Sequence, residues 1–167
     1  MESSLSRRHA YCLLPPGNVV REIAQVQERL FREHRNVSFR AIPPIIPVCW
    51  LESPALPAGF PVLPVIRVRP TEYTIERRCL FLKLELLDAA NESLIRAASE
   101  YESAEPVLFP AVLGFFLGAG YEGPEVPPPP ASLRFETAPV EPRLISIDHT
   151  ESEAWYTGVV WRLERIG

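Results

Sequence analysis

Three histidines carry the side chains best suited to acid–base catalysis near neutral pH: His9, His34 and His149. His149 has the most suggestive neighbours, because it follows Asp148 and precedes a threonine. Adjacent residues in a turn seldom converge on one point, so we interpret residues 148–153 as a solvated polar turn. His9 begins the first predicted strand, and His34 ends the first predicted helix, where an imidazolium would suit the helix dipole.

A second group with chemical potential is basic. Four arginines flank a predicted polar loop, PTEYTIE, and could bind a phosphate-bearing ligand, although a charged sheet edge that resists aggregation is the favoured interpretation. These are Arg67, Arg69, Arg77 and Arg78. The sequence contains no dinucleotide-binding glycine motif, no P-loop, no G-x-S-x-G and no H-E-x-x-H.

Composition narrows the class of protein. The chain is 47% hydrophobic and 23% charged, which is ordinary for a soluble globular protein. Its net charge of −4 argues against indiscriminate nucleic-acid binding, which usually needs a basic field. Neither a signal peptide nor an apolar stretch of membrane-spanning length is visible, so we expect a cytoplasmic protein with no membrane partner.

The cysteines suggest neither a metal centre nor a disulfide framework. Cys12, Cys49 and Cys79 are far apart, odd in number and set in apolar runs. We therefore expect buried free thiols, no metal and no cofactor.

Proline is the compositional outlier, at 19 of 167 residues. The prolines are spread along the chain, so they are expected to stiffen loops and shorten strands. The run PEVPPPP (Pro124–Pro130) is predicted to be a rigid connector, with docking to an SH3-type groove as the less favoured alternative.

Hydrophobic periodicity predicts two helices among about eight strands. The first helix runs from an Asn18 cap to about Arg35, with a stripe of Val19, Ile23, Val26 and Leu30. The second helix is capped by Asp88 and runs from about Ala89 to Tyr101, with a stripe of Ala90, Leu94, Ala97 and Tyr101. The predicted strands are His9–Pro15, Ile45–Leu51, Pro64–Pro70, Arg78–Leu86, Val107–Gly120, Ser132–Thr137, Val140–Ile147 and Ala154–Ile166.

The order of elements indicates duplication. The first strand of each half lies around Tyr11 and Phe81, 70 positions apart, and the helix stripes begin 71 positions apart. Because two helices are outnumbered by strands and the last three strands are consecutive, the pattern favours an α+β fold. We expect largely antiparallel sheets with the two helices packed outside.

Several segments together resemble the 2H phosphoesterase (LigT-like) superfamily, which includes RNA 2′,3′-cyclic phosphodiesterases. The similar blocks are RRHAYCLLPPG, FRAIPPIIPV, RRCLFLKLEL and the C-terminal LISIDHTESEAWYTGVVWRLERI. The resemblance implies a single domain, residues 1–167, of two pseudo-symmetric lobes around a concave cleft. One lobe would comprise roughly residues 8–75 plus C-terminal strands, and the other residues 76–167.

The catalytic motifs of that superfamily are missing. Each lobe should carry H-x-T on a central strand, and the chain contains no H-x-T or H-x-S. Ile45 and Pro47 stand at the first motif, and Gly114 and Phe116 stand at the second. None of these side chains can act as a general acid, a general base or a phosphate ligand.

The resemblance still implies cleft-facing positions, which we take as the candidate ligand-binding residues. By strand parity Ile45, Pro47 and Cys49 would face the cleft, while Ile46, Val48 and Trp50 would pack beneath the helices. The full candidate set is Tyr11, Ile45, Pro47, Cys49, Arg67, Phe81, Lys83, Gly114 and Phe116, with none of them catalytic.

Three functions remain open. The first is a non-catalytic 2H-like protein that binds a small ligand, a nucleotide or a protein partner through the former cleft. The second is a divergent cyclic phosphodiesterase that uses non-histidine groups such as Tyr11, Lys83 or Arg67. The third is a structural or interaction subunit with an exposed apolar patch around GFFLGAGY. The expected state is a monomer or a weak homodimer.

Overall fold

The computed structural model describes residues 5–102, 108–120, 133–151 and 155–165, which form seven strands and two α-helices. The strands are β1 (Leu5–Leu14), β2 (Ile46–Leu51), β3 (Ile66–Glu76), β4 (Cys79–Leu86), β5 (Gly114–Gly118), β6 (Ala138–Thr150) and β7 (Val160–Glu164). The α-helices are α1 (Gly17–His34) and α2 (Ala90–Ser99), and short 3₁₀ helices span Val37–Arg40 and Trp155–Gly158.

All strand pairs are antiparallel, and the sheet order is β2-β1-β6-β3-β4-β5. Strand β7 pairs with β6 as well. The sheet curls, so that its two end strands approach each other and the Phe116 amide donates a 2.9 Å hydrogen bond to the Ile45 carbonyl. The fold is therefore α+β, with a curled antiparallel sheet and two helices, as the sequence predicted.

The strand order is unchanged when the two β-α-β-β units are exchanged, β1 for β4, β2 for β5 and β3 for β6. Strands β2 and β5 also share an irregularity. Each carries one extra residue relative to its neighbour, Val48 opposite the Tyr11–Cys12 step and Leu117 opposite the Leu80–Phe81 step. Leu117 follows Val48 by 69 positions, the interval that also separates Gly114 from Ile45.

Helix α1 buries the predicted stripe of Val19, Ile23, Val26 and Leu30. It begins earlier than expected, because Pro16 rather than Asn18 is the N-terminal cap residue. Proline is well suited to this end of a helix, where its missing N–H leaves no helical hydrogen bond unmade.

The predicted stripe of α2 is wrong by about one position. Ala98 is the buried residue of this helix, with Ile95 and Tyr101 half-buried against the core, while Leu94 is exposed. Asp88 does serve the helix start, since its carboxylate accepts a hydrogen bond from the Ala90 amide at 3.0 Å.

Strand boundaries differ in both halves of the chain. Strand β3 continues to Glu76, so PTEYTIE is part of a strand and the predicted loop there is wrong. Only part of the predicted strand Val107–Gly120 is a strand in the structure, namely β5 (Gly114–Gly118). The predicted strand Ser132–Thr137 is wrong in its described part, since residues 133–137 form no strand. Strand β6 continues to Thr150, so the predicted turn at 148–153 is wrong at its beginning. The Pro124–Pro130 connector lies outside the described residues.

His149 is accordingly buried in β6 rather than solvated in a turn, with 3% of its surface exposed. Its Nδ1–H donates to the carbonyl of Thr150 at 2.8 Å. Among the described residues its Nε2 atom has no hydrogen-bond partner.

Two apolar clusters cover the two faces of the sheet. The helix-side cluster packs the α1 stripe on Leu80, Leu82, Phe115 and Val140. The opposite cluster is rich in aromatic rings and lies on the concave face. Along β4 both faces are buried as far as Leu82, and alternation with exposed charge begins only at Lys83.

The three cysteines are buried and free, as predicted. Burial raises the pKa of Cys12 strongly, and it raises the pKa of Cys49 and Cys79 to about 12. No helix among the described residues is long and apolar enough to cross a membrane.

These thiols predict a loss of stability at alkaline pH. Between the ordinary cysteine pKa of 9.0 and the folded value near 12, the native state keeps protons that the unfolded state releases. The free energy of unfolding should therefore fall from pH 8 to pH 10, by up to about 1.4 kcal/mol per pH unit for each titrating thiol. Urea denaturation at the two pH values measures this change.

The matched control is Cys49→Ala, which removes one titrating group and should reduce the pH dependence. A free energy of unfolding that rises from pH 8 to pH 10 would contradict the prediction. So would native-state thiols that react with a disulfide reagent as fast as free cysteine.

Candidate functional site

The four positions that the resemblance aligns with the two H-x-T motifs meet where β2 and β5 approach each other. Ile45 directly precedes β2 and Pro47 lies within it, while Gly114 and Phe116 lie in β5. All four are buried. Ile45 and Phe116 belong to the concave-face cluster and share the backbone hydrogen bond described above.

Aromatic rings fill the concave face around these positions. The ring of Phe116 lies 4.5 Å from Phe109, 5.8 Å from Phe81 and 6.4 Å from Trp155. Trp50 contacts Phe109 edge-on at 4.9 Å and donates its indole N–H to the Phe109 carbonyl at 2.9 Å. We call Trp50, Phe81, Phe109, Phe116 and Trp155 the aromatic cluster; it closes the floor of the cleft to solvent.

Gly114 has no room for a side chain. A Cβ atom there would lie 3.0 Å from the Leu82 carbonyl oxygen, 3.2 Å from Phe81 Cβ and 3.3 Å from Lys83 Cα. Two of these neighbours are backbone atoms of the adjacent strand and cannot rotate away. A histidine at this position would require the two strands to move apart.

Pro47 limits the hydrogen bonding between β2 and β5. Five antiparallel steps separate these strands, so they run in opposite directions where the curled sheet brings them together. After the bond from Phe116 to Ile45, the next bonding pair of an antiparallel ladder would be residue 47 with Gly114. Pro47 has no N–H, so it cannot donate to the Gly114 carbonyl.

Where β5 meets β2, side chains rather than a backbone ladder form hydrogen bonds with some of the backbone groups of residues 117 and 119. Gln27 Nε2 on α1 donates to the Leu117 carbonyl at 3.0 Å. Ser38 Oγ donates to the Ala119 carbonyl at 2.9 Å and accepts from the Ala119 amide at 2.8 Å. The edge of β5 is thus covered by polar groups of the first half of the chain.

The predicted faces of β2 are correct only before the extra residue at Val48. Pro47 pairs with Cys12 and Cys49 pairs with Tyr11, so Cys49 joins the helix-side cluster. Trp50 lies on the concave face instead of under the helices. The bulge reverses the alternation of side chains, which strict period-two parity cannot anticipate.

Tyr11 and Phe81 do not share a face either. The interval of 69 that separates Val48 from Leu117 would pair Phe81 with Cys12, and both of these residues lie in the concave-face cluster. Tyr11 lies in the helix-side cluster, where its hydroxyl accepts a 3.1 Å hydrogen bond from the Leu63 amide. Burial raises the pKa of Tyr11, which makes it a core residue rather than a cleft residue.

Arg67 and Lys83 lie on the exposed end of the concave face, beyond Phe81. Arg67 donates to the Thr137 hydroxyl at 2.9 Å, and Lys83 approaches Glu72 at 4.0 Å. The directly opposed and ion-paired Arg69 and Glu85 lie between them. We call Arg67, Arg69, Lys83 and Glu85 the charged rim.

A polar network that the sequence did not suggest crosses β1, β6 and β7 on the helix-side face. Ser146 Oγ donates to Glu164 Oε1 at 2.7 Å, and Arg162 Nε donates to the same oxygen at 3.0 Å. Because the serine proton is used by Glu164, His9 Nδ1–H must donate to Ser146 Oγ at 2.8 Å. The one sequence feature that could have indicated this network is the presence of polar residues in otherwise apolar strands.

This network is arranged for positioning rather than for nucleophilic catalysis. A nucleophilic serine would donate its proton to the imidazole, whereas here the proton lies toward a carboxylate. Burial lowers the pKa of His9, and the bonds from Ser146 and Arg162 lower the pKa of Glu164. Glu164 is therefore ionised at neutral pH, and it connects β7 to β6.

The described residues contain no group of three or more histidine, cysteine or acidic side chains that could hold a metal ion. An open groove of about 410 Å³ lies away from the motif positions, between α1, residues 42–44 and Trp161 of β7. Glu28 and Arg40, which form an ion pair, are on its border.

No protein-family model matches the chain, and no curated protein matches it.

The tight contact at Gly114 predicts a destabilised Gly114→Ala variant. The added methyl group must displace backbone of β4, so we expect a loss of about 1–3 kcal/mol in the free energy of unfolding. Urea denaturation would measure it against Gly17→Ala, the matched control. A Cβ at Gly17 meets no atom within 4 Å, and that variant should be neutral or slightly stabilised. Equal effects of the two substitutions would contradict the prediction.

Proposed function

We propose that the protein is a catalytically inactive relative of the 2H phosphoesterases, and that it acts by binding a partner rather than by hydrolysing a phosphodiester. The observation that carries this proposal is the burial of Ile45, Pro47, Gly114 and Phe116, two of which, Ile45 and Phe116, belong to the concave-face cluster. Positions that would hold two imidazoles and two hydroxyls instead fill a core.

The architecture supports a two-lobed LigT-like arrangement in three respects. The strand order is symmetric between the halves, the extra residues Val48 and Leu117 stand at the same interval as the motif positions, and β2 meets β5 at those positions. In such a fold the lobes correspond roughly to residues 8–75 plus C-terminal strands and to residues 76–167.

A hydrolase that uses other groups is less well supported. Such an enzyme needs polar side chains that converge on one point, and the three residues suggested for it do not. Tyr11 is on the helix-side face, while Arg67 and Lys83 are on opposite sides of the Arg69–Glu85 pair.

The surface that remains accessible beside the filled floor is the charged rim. Arg67 bonds to a neutral hydroxyl, so its positive charge is not balanced by that contact. Lys83 is more than half exposed and its contact with Glu72 is long, so both cations could turn toward an anionic ligand. A nucleotide or a similar small phosphate compound is the ligand class that this rim fits best.

Absence of turnover is the first expected result. Purified protein should hydrolyse 2′,3′-cyclic nucleotides no faster than buffer does, because Ile45, Pro47, Gly114 and Phe116 cannot act as a general acid or a general base. The measurement is product formation after successive purification steps. Turnover that persists at constant specific activity, and that Lys83→Ala abolishes, would contradict the proposal.

Ligand binding at the rim is the second expected result. A thermal-shift series with nucleotides should raise the melting temperature of the wild type, since a ligand that binds the native state stabilises it. Arg67→Ala and Lys83→Ala should each weaken binding by about tenfold, the loss expected for one charge-assisted hydrogen bond. Arg96→Ala on α2 is the control, because Arg96 is exposed and its described ion pair is with Glu92 of the same helix.

The two tests separate the parts of the proposal. A nucleotide series that leaves the wild-type melting temperature unchanged would remove the rim as a ligand site. It would leave the inactive cleft in place. Equal losses of binding in all three arginine and lysine variants would indicate a general charge effect rather than a site.

A further inference from the structure

Strand β7 is an exposed edge of the sheet. It pairs with β6 along one side, and no strand among the described residues pairs with its other side. Val160 is 65% exposed, Leu163 49% and Trp161 39%. An edge with apolar side chains on both faces is a template for pairing with another strand. The sequence placed the exposed apolar patch around GFFLGAGY, but residues 114–119 of that segment are buried.

The charges of β7 determine which strand would fit beside it. Arg162 and Glu164 lie on one face of the strand, and Trp161 and Leu163 lie on the other. An antiparallel partner with the same sequence, centred on Leu163, would place Glu164 opposite Arg162 and Arg162 opposite Glu164. Opposite charges that face each other across a strand pair stabilise it.

We propose that two copies of this chain associate through β7, as antiparallel neighbours related by a two-fold axis at Leu163. On one face, two Arg162 and two Glu164 side chains form a four-charge network. On the other face, the two Leu163 side chains meet, and each Trp161 ring faces Arg165 of the other copy, as a cation–π pair requires. The contact is isologous, so it closes at two copies.

Other self-pairings of β7 are less favourable. Centring the pair on Arg162 would place two guanidinium groups directly opposite each other. Centring it on Trp161 would set Arg162 against Val160 and leave Glu164 opposite Gly158. Only the pairing at Leu163 matches every charge within the strand.

The monomer is already arranged for this pairing. Ser146 and Arg162 hold Glu164 in its ionised form on the strand surface. These bonds fix the carboxylate before association, which reduces the side-chain entropy lost on binding. Pairing through β7 requires neither catalysis nor a ligand at the charged rim.

Sedimentation velocity on the full chain over a range of concentrations tests the proposal. The wild type should show a concentration-dependent monomer–dimer equilibrium. Arg162→Glu and Glu164→Arg should each weaken dimerisation by at least about tenfold, because each converts two attractive cross-strand pairs into repulsive ones. An equimolar mixture of the two variants should associate again, since each acidic strand then faces a basic one.

The controls address charge and folding. Arg96→Glu changes the net charge equally, far from β7, and should leave the dimer unchanged. Circular dichroism melting identifies variants that fail to fold. If Glu164→Arg fails, Glu164→Gln takes its place, with an expected affinity between those of the wild type and Arg162→Glu.

Three outcomes would overturn the proposal. The first is a wild type that stays monomeric at all concentrations. The second is a dimer that Arg162→Glu does not weaken, because association would then use another surface. The third is a mixture of folded acidic and basic variants that does not associate, since the charge pairing at Leu163 would then be absent.

Discussion

The hydrogen bond from the Phe116 amide to the Ile45 carbonyl joins the two ends of the sheet, and the rest of the structure depends on this closure. A sheet that brings its end strands together must curl, and the curl encloses a concave face. The ladder cannot continue past that bond because Pro47 has no N–H. On the other side of that bond, Gln27 and Ser38 donate side-chain hydrogen bonds to the carbonyls of Leu117 and Ala119.

Closure also explains how the concave face is filled. Positions 69 apart combine a large residue with a small one: Ile45 with Gly114, Trp50 with Ala119 and Phe81 with Cys12. All of these except Gly114 belong to the concave-face cluster. Alternation of large and small residues fills a shared interior at native packing density. The aromatic cluster is thus one continuous core shared by the two halves.

Local pattern was sufficient to predict the α+β class, the buried stripe of α1 and the burial of the three thiols, because each depends on nearby residues. It failed where a single residue changes the register. The extra residue at Val48 reverses the faces of Cys49 and Trp50, and no glycine or polar residue indicates it in an apolar run. A one-residue error in the repeat interval likewise placed Tyr11 on the wrong face. The meeting of β2 with β5 was beyond local prediction, since Ile45 and Phe116 lie far apart in the sequence.

The aromatic cluster fills the floor of the cleft, and this limits where on the molecule a binding site can lie. A histidine placed at position 45 or 114 would not by itself create a site, because a Cβ atom at Gly114 would press on the backbone of β4 and Ile45 packs into a cluster that stabilises the whole sheet. Positions 45, 47, 114 and 116 contribute to stability, and large changes there carry the costs of any core substitution. The binding function proposed above would therefore use surfaces that the core does not need. The charged rim and the free edge of β7 satisfy that condition, since their side chains are exposed and their removal leaves the aromatic cluster intact.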